Sequence, residues 1–176
     1  MTQAQQRRAR MLLAAMTALA LFSMAPAAAA VTTPQQNRTA TAARHAPKLP
    51  GRRATRSDLA GRRWVARHYR TDGTTHRTAP GAPIRMNFGK VRHGHRALPF
   101  GFDTGCNAGG GAVVVRHGRL RFRRVIETDI ACTGTRGEQE SAFDAIIRAR
   151  PRARMSHHRL VLIAGTTVIT FQRHRR

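Results

Sequence analysis

The sequence predicts an α+β domain, mainly β, in which one amphipathic helix packs against a small curled antiparallel sheet. Three observations carry this prediction. From residue 58 to residue 171, short apolar runs recur between glycine-containing turns. Two pairs of these runs are separated by the spacing of a tight hairpin. A single stretch carries an apolar stripe at helical period.

In chain order, residues 63–69 hold Trp64, Val65 and Tyr69 and read as the first strand. Ile84, Met86 and Phe88 alternate with polar residues, and so do Leu98, Phe100 and Phe102, so each set faces one side of a sheet. Residues 112–116 and 119–123 flank His117-Gly118, a two-residue turn in which Gly118 can take positive φ. Thr135 and Glu138 have the spacing of a capping box, and Ala142, Phe143, Ile146 and Ile147 then form one stripe that Pro151 ends. Residues 160–163 and 166–171 make a second hairpin around Ala164-Gly165. Trp64, Phe88, Phe122, Phe143, Ile147 and Phe171 are the expected core.

The flanks differ in composition. Arg7, Arg8 and Arg10 precede an apolar run over residues 11–24 and an alanine tract that ends at Ala30. This is the pattern of a secretory signal peptide over residues 1–30, too short for a membrane span. Arg10 sits where a twin-arginine signal prefers an apolar residue, which favours the general secretory route. No cysteine lies near the cleavage region, so the mature protein is expected to be soluble in the periplasm or outside the cell, with no membrane span. Residues 31–57 are Thr, Ala, Pro, Gln and Arg, with too little apolar surface to order themselves, and read as a disordered basic linker. The domain then covers residues 58–173, followed by a basic tail at 174–176.

The charge is extreme. A formal +24 falls only to +21 when Arg7, Arg8 and Arg10 leave with the signal peptide, because residues 1–30 contain no acid. Of the 32 basic residues only Lys48 and Lys90 are lysine. Two readings stay open. The surplus is either a solvated surface that opposes self-association, or a surface for polyanions such as lipopolysaccharide, nucleic acid or polyphosphate. On the second reading Arg52, Arg53, Arg62, Arg63, Arg123, Arg124, Arg152 and Arg154 are the candidates. Sequence-selective contact with bases is not expected, since no helix-turn-helix, finger or stacking platform is visible.

Catalytic patterns are missing. Ser57, Ser141 and Ser156 lie in no Gly-x-Ser-x-Gly elbow, and Gly89-Lys90 and Gly109-Gly110-Gly111 satisfy neither a phosphate-loop nor a dinucleotide fingerprint. Glu127 and Asp129 would share a face on one strand, and salt bridging to arginine is the favoured use of that pair over acid–base work. His93 with His95, and His157 with His158, have spacings that can bind zinc or copper, yet no Cys-x-x-Cys or carboxylate cluster completes a site. No catalytic residue, metal or cofactor is therefore expected. Cys106 and Cys132, an even pair in an exported chain, suggest a disulfide.

Five motifs in order carry a resemblance. Leu59-x-Gly61-x-x-Trp64, Gly105-Cys106-Asn107, Thr128-x-Ile130-Ala131-Cys132, the helix motif Glu140-x-x-Phe143, and the closing hairpin resemble the META/HslJ family over about residues 58–171. Ile130 replaces a methionine of the family pattern, and Ala108-Gly109-Gly110-Gly111 replaces its usual aromatic positions. The resemblance implies a small curled sheet or open β-barrel with a packed helix. It also implies a non-enzymatic role in envelope maintenance or stress tolerance, exercised on an unidentified envelope protein or lipid. The positive charge is no part of the family pattern.

Overall fold

The computed structural model describes residues 51–174. The expected signal peptide, the expected linker up to residue 50 and the last two residues of the expected basic tail lie outside the described residues. In order the elements are β1 (Arg52–Arg53), α1 (Arg56–Leu59), β2 (Arg63–Ala66), β3 (His68–Thr71), β4 (Thr74–Arg77), β5 (Ile84–Phe88), β6 (Ala97–Asp103) and β7 (Ala108–Arg116). They continue with β8 (Arg119–Glu127), α2 (Gly134–Arg148), β9 (Arg152–Ser156), β10 (Arg159–Ala164) and β11 (Thr167–Arg173).

The sheet closes into a barrel, so the open form expected from the sequence is corrected. Eight strands run β9-β8-β7-β6-β5-β2-β11-β10, and β10 pairs back to β9. The last hairpin makes the closure, because β10 takes β9 on one side while β11 takes β2 on the other. The joint between β8 and β9 is narrow, a single register pair between Arg119 and Arg152. Beyond the barrel, β3 and β4 extend as a hairpin from β11, and β1 adds to β9.

Local chemistry accounts for most elements. β5 and β6 alternate as expected, with Ile84, Met86, Phe88, Leu98, Phe100 and Phe102 all buried. His117 and Gly118 both have positive φ, 50° and 72°, which a type I′ hairpin turn requires. The same turn type joins β3 to β4 at Asp72-Gly73, with φ of 49° and 84°. The closing turn is shifted by one residue from the expected position: Ala164 pairs with Thr167, leaving Gly165-Thr166 as the turn.

The strand expected over residues 63–69 breaks at Arg67. Trp64, Ala66 and Tyr69 all face inward, and strict alternation would have put His68 there instead of Tyr69. One extra residue at the bend restores the facing and lets β2 and β3 pair with different parts of β11.

The expected helix start is corrected. α2 begins at Gly134 with Thr133 as N-cap and no side-chain cap bond, so Thr135 and Glu138 form no capping box. The reciprocal box belongs to α1. There Thr55 N–H donates to Asp58 Oδ2 at 2.8 Å, and Asp58 N–H donates to Thr55 Oγ1 at 3.4 Å. This also moves the start of the fold into the supposed linker. Arg52 pairs in register with Met155, and Ala54 is buried. A lone alanine between arginines is too weak an apolar signal to show this in sequence.

Inside, Trp64, Phe88, Phe143, Ile147 and Phe171 share one cluster of buried side chains, with half-buried Phe122 packed against it. α2 lies against β3, β8, β10 and β11. Its Phe143 ring is centred 4.9 Å from that of Phe102. Among the described residues no helix is long and apolar enough to cross a membrane.

Candidate functional site

Among the described residues, the Gly105-Cys106-Asn107 turn after β6 is heavily hydrogen-bonded. Gly105 has φ of +81°, and a Cβ there would stand 2.7 Å from Ala82 Cβ and 2.8 Å from Gln139 Nε2. Only glycine fits that approach. Gln139 is fully buried on α2. Its Oε1 accepts from Ala79 N–H at 2.8 Å, and its Nε2 donates to Ala82 O at 3.1 Å and also to Thr104 O. Thr104, equally buried, donates to Asn107 O and Glu140 Oε2 and accepts from Asn107 N–H at 3.0 Å.

Asn107 reaches the other way. Its Oδ1 accepts from Thr128 Oγ1 at 2.7 Å and from Ile130 N–H at 2.8 Å, and its Nδ2 donates to Ile130 O at 3.0 Å. Cys106 and Cys132 form a disulfide beside it, with Cα atoms 6.2 Å apart. The motif residues Gly105, Cys106, Asn107, Thr128, Cys132 and Glu140 thus fasten one turn to the approach of α2. Leu59, Trp64 and Phe143 are core, Gly61 donates to Gly89 O at 3.0 Å, and Ala131 is exposed. Gln139 and Thr104 belong to none of the sequence motifs. Gln139 carried a signal nonetheless, since it precedes Ala142 and Phe143 by three and four residues on the apolar stripe.

The acidic residues group differently from expectation. Glu127 ends β8 and Asp129 lies in the coil after it, so they do not share a strand face. Glu127 instead meets Glu140 and Asp144 of α2, their carboxylate oxygens within 4.8 Å of one another. Burial pushes the Glu127 carboxyl above its usual range, and the neighbouring Asp144 and Glu140 add to this. Glu140 is bonded to Thr104, and Asp144 accepts from Arg148 Nη2 at 3.1 Å. With Phe122, Val125 and Ile147, Glu127 and Asp144 line a cleft of about 330 Å³ between β8 and α2. His93 and His95 lie in the exposed loop before β6, and His157-His158 form the turn joining β9 to β10. None of them belongs to this acidic group.

The eight candidate arginines do not form one face. Arg52 is paired with Asp58 at 2.6 Å and Arg62 donates to Asp58 O at 2.6 Å, so both serve the start of the fold. The Arg52 guanidinium, with Thr55, holds the Asp58 carboxyl well below the usual carboxylate range. Half-buried Arg154 donates to Gly51 O at 3.4 Å. Arg53, Arg123, Arg124 and Arg152 are exposed around β1, β8 and β9, while Arg63 is exposed on β2, four places from β8 in the barrel. Positive charge is locally crowded: Arg123 and then Arg150 depress the proton affinity of Arg121. The described residues contain three ion pairs, Arg52–Asp58, Arg85–Asp103 and Arg148–Asp144.

Residues 57–175 match the META domain. Among solved structures, an NMR structure of a protein from Burkholderia xenovorans is similar at 25% identity and a TM-score of 0.53, covering 74% of this chain and 99% of its own. A second NMR structure is similar in fold at 17% identity and a TM-score of 0.53, covering 68% of this chain and 94% of its own. No curated protein matches the chain.

Proposed function

Because the chain belongs to the META domain family, we propose that it is an exported, non-enzymatic binding module that serves envelope maintenance or stress tolerance. The observation that carries this reading is the use of the motif residues. Gly105, Asn107 and Glu140, together with the buried Thr104 and Gln139, are taken up in fastening a turn to a helix, and the barrel interior is filled by side chains. That arrangement leaves the outer surface as the place to meet a partner. Fractionation of cells making the tagged chain tests export: a species lacking residues 1–30 outside the cytoplasm is expected, and an intact cytoplasmic species would refute it. Capture from an envelope extract tests partner binding, and a folded bait that enriches no protein or lipid speaks against it.

A second reading, polyanion binding through the arginine-rich surface, is favoured by one observation. Against 32 basic residues there are eight acids, and only three of those form ion pairs among the described residues. Such binding releases counterions, so the logarithm of affinity for duplex DNA should fall by about 0.9 per phosphate contact per decade of salt. Affinity for heparin and DNA that does not change with salt, or that is absent at low salt, would remove this reading.

A further inference from the structure

We propose that the outer face of the barrel across β5, β2, β11 and β10 is a binding site for a chain of phosphate groups. The proposal rests on the polyanion reading and gives it a location that the sequence does not show. Strand register sets Arg85, Val65, Gln172 and Arg159 in one outward row, through the pairs Val65 with Arg85, Gln172 with Val65, and Arg159 with Gln172. At about 4.8 Å between neighbouring strands, the row is about 14 Å long. Two hollows of about 350 and 440 Å³ adjoin over it and share Val65, Arg85 and His174. Arg63 lines the first, and Arg67, Arg159 and Arg173 line the second. Val65 and Pro83 supply an apolar floor between the charges.

This charge has almost no counterweight. All eight acids of the chain lie among the described residues, and only Asp103 reaches the groove, 3.3 Å from Arg85. Five arginines therefore face one carboxylate, before His68 and His174 are considered. Among the described residues, the side chains of Arg63, Arg67, Arg159 and Arg173 make no hydrogen bond or ion pair. Like charges held together on a sheet face repel one another, and a ligand of matching charge density relieves that repulsion.

The residue types select the ligand. A guanidinium fork takes two phosphate oxygens at once, which suits a run of phosphates. Bases need an aromatic platform to stack on, and the large rings that line the groove, Trp64 and Phe102, are buried in the sheet, which leaves only the exposed imidazoles of His68 and His174. Contact is thus chiefly to the charged chain.

The test titrates the purified protein with inorganic polyphosphate of defined length and, separately, with a single-stranded oligonucleotide carrying the same number of phosphates. Two double variants are compared, Arg63→Gln with Arg159→Gln in the groove, and Arg123→Gln with Arg152→Gln at β8 and β9. Thermal unfolding checks that both remain folded. The groove pair should weaken polyphosphate binding at least tenfold and flatten its salt dependence, while the other pair changes affinity by less than threefold. Equal losses from both pairs would overturn the site and leave general polyanion binding standing. Absence of both polyphosphate and heparin binding in the unsubstituted protein would overturn both. Tighter binding of the oligonucleotide than of polyphosphate would overturn the assignment to a bare phosphate chain.

Discussion

The side-chain amide of Asn107 pairs with the backbone of Ile130 as a neighbouring strand would, accepting from its N–H at 2.8 Å and donating to its carbonyl at 3.0 Å. The coil between β8 and α2 is held by this mimicry where the barrel ladder has ended. Asn107→Ala removes both bonds and the acceptor for Thr128, so a loss of about 1–3 kcal/mol is expected from stranded polar groups. Urea unfolding of the variant against the parent measures it, and an unchanged midpoint would show that the amide does not hold this coil.

The disulfide one residue away closes a loop with a sequence separation of 26 between Cys106 and Cys132. The chain-entropy relation gives about 3–4 kcal/mol of stabilisation for such a loop. Unfolding with and without reductant should differ by that order. Intact mass after alkylation without reductant should show no modified thiol, and two modified thiols in folded protein would contradict the bridge.

Gly105→Ala should cost about 2 kcal/mol or more, because it adds a forbidden contact to an unfavourable φ of +81°. Gly165→Ala is the control. It also has positive φ, +55°, but its Cβ would meet nothing within 4 Å, so only the smaller conformational cost, about 1 kcal/mol, applies. Equal effects of the two substitutions would mean that Ala82 and Gln139 give way.

Phe143→Ala empties a fully buried position against Phe102 and should cost about 3–5 kcal/mol. A change no larger than that of an exposed substitution would place α2 elsewhere.

The Glu127 carboxyl is raised in the folded state, so the native protein keeps this proton to higher pH than the unfolded chain does. Its favourable contribution is therefore present below the unfolded glutamate value, about 4.3, and is lost as pH rises through the folded value. At neutral pH the charged form is unfavourable beside Asp144 and Glu140. Glu127→Gln should raise Tm at pH 7, and the gain should vanish near pH 4. A variant less stable than the parent at pH 7 would contradict this sign.

How much of this was legible follows from where the signals lie. His117-Gly118 was readable because an apolar run precedes it and Leu120 and Phe122 alternate after it, whereas Asp72-Gly73 has the same turn chemistry between strands whose one large apolar residue is Tyr69. β9 hides in the same way, with Ala153 and Met155 alternating among arginines. Barrel closure could not be read locally, since it depends on β10 finding β9 and β11 finding β2 at the same time. The groove is the extreme case. Arg63, Arg85 and Arg159 are far apart in sequence and share no motif, and register alone brings them to one face of the sheet.

The narrow joint between β8 and β9 has a further consequence. Beyond Arg119, β8 is paired to β7 but to no strand on its other side among the described residues; Leu120 N–H donates to Pro151 O at 3.0 Å and α2 packs against β8, so the remainder is a partly covered edge of the kind on which chains add to one another. That stretch carries Arg121, Arg123 and Arg124, all exposed. A second molecule docking edge to edge in the antiparallel sense would bring guanidinium against guanidinium and strip water from both. The arginines of this seam oppose such addition, and replacing them by threonine should increase self-association, which light scattering measures; an unchanged molecular mass would contradict this.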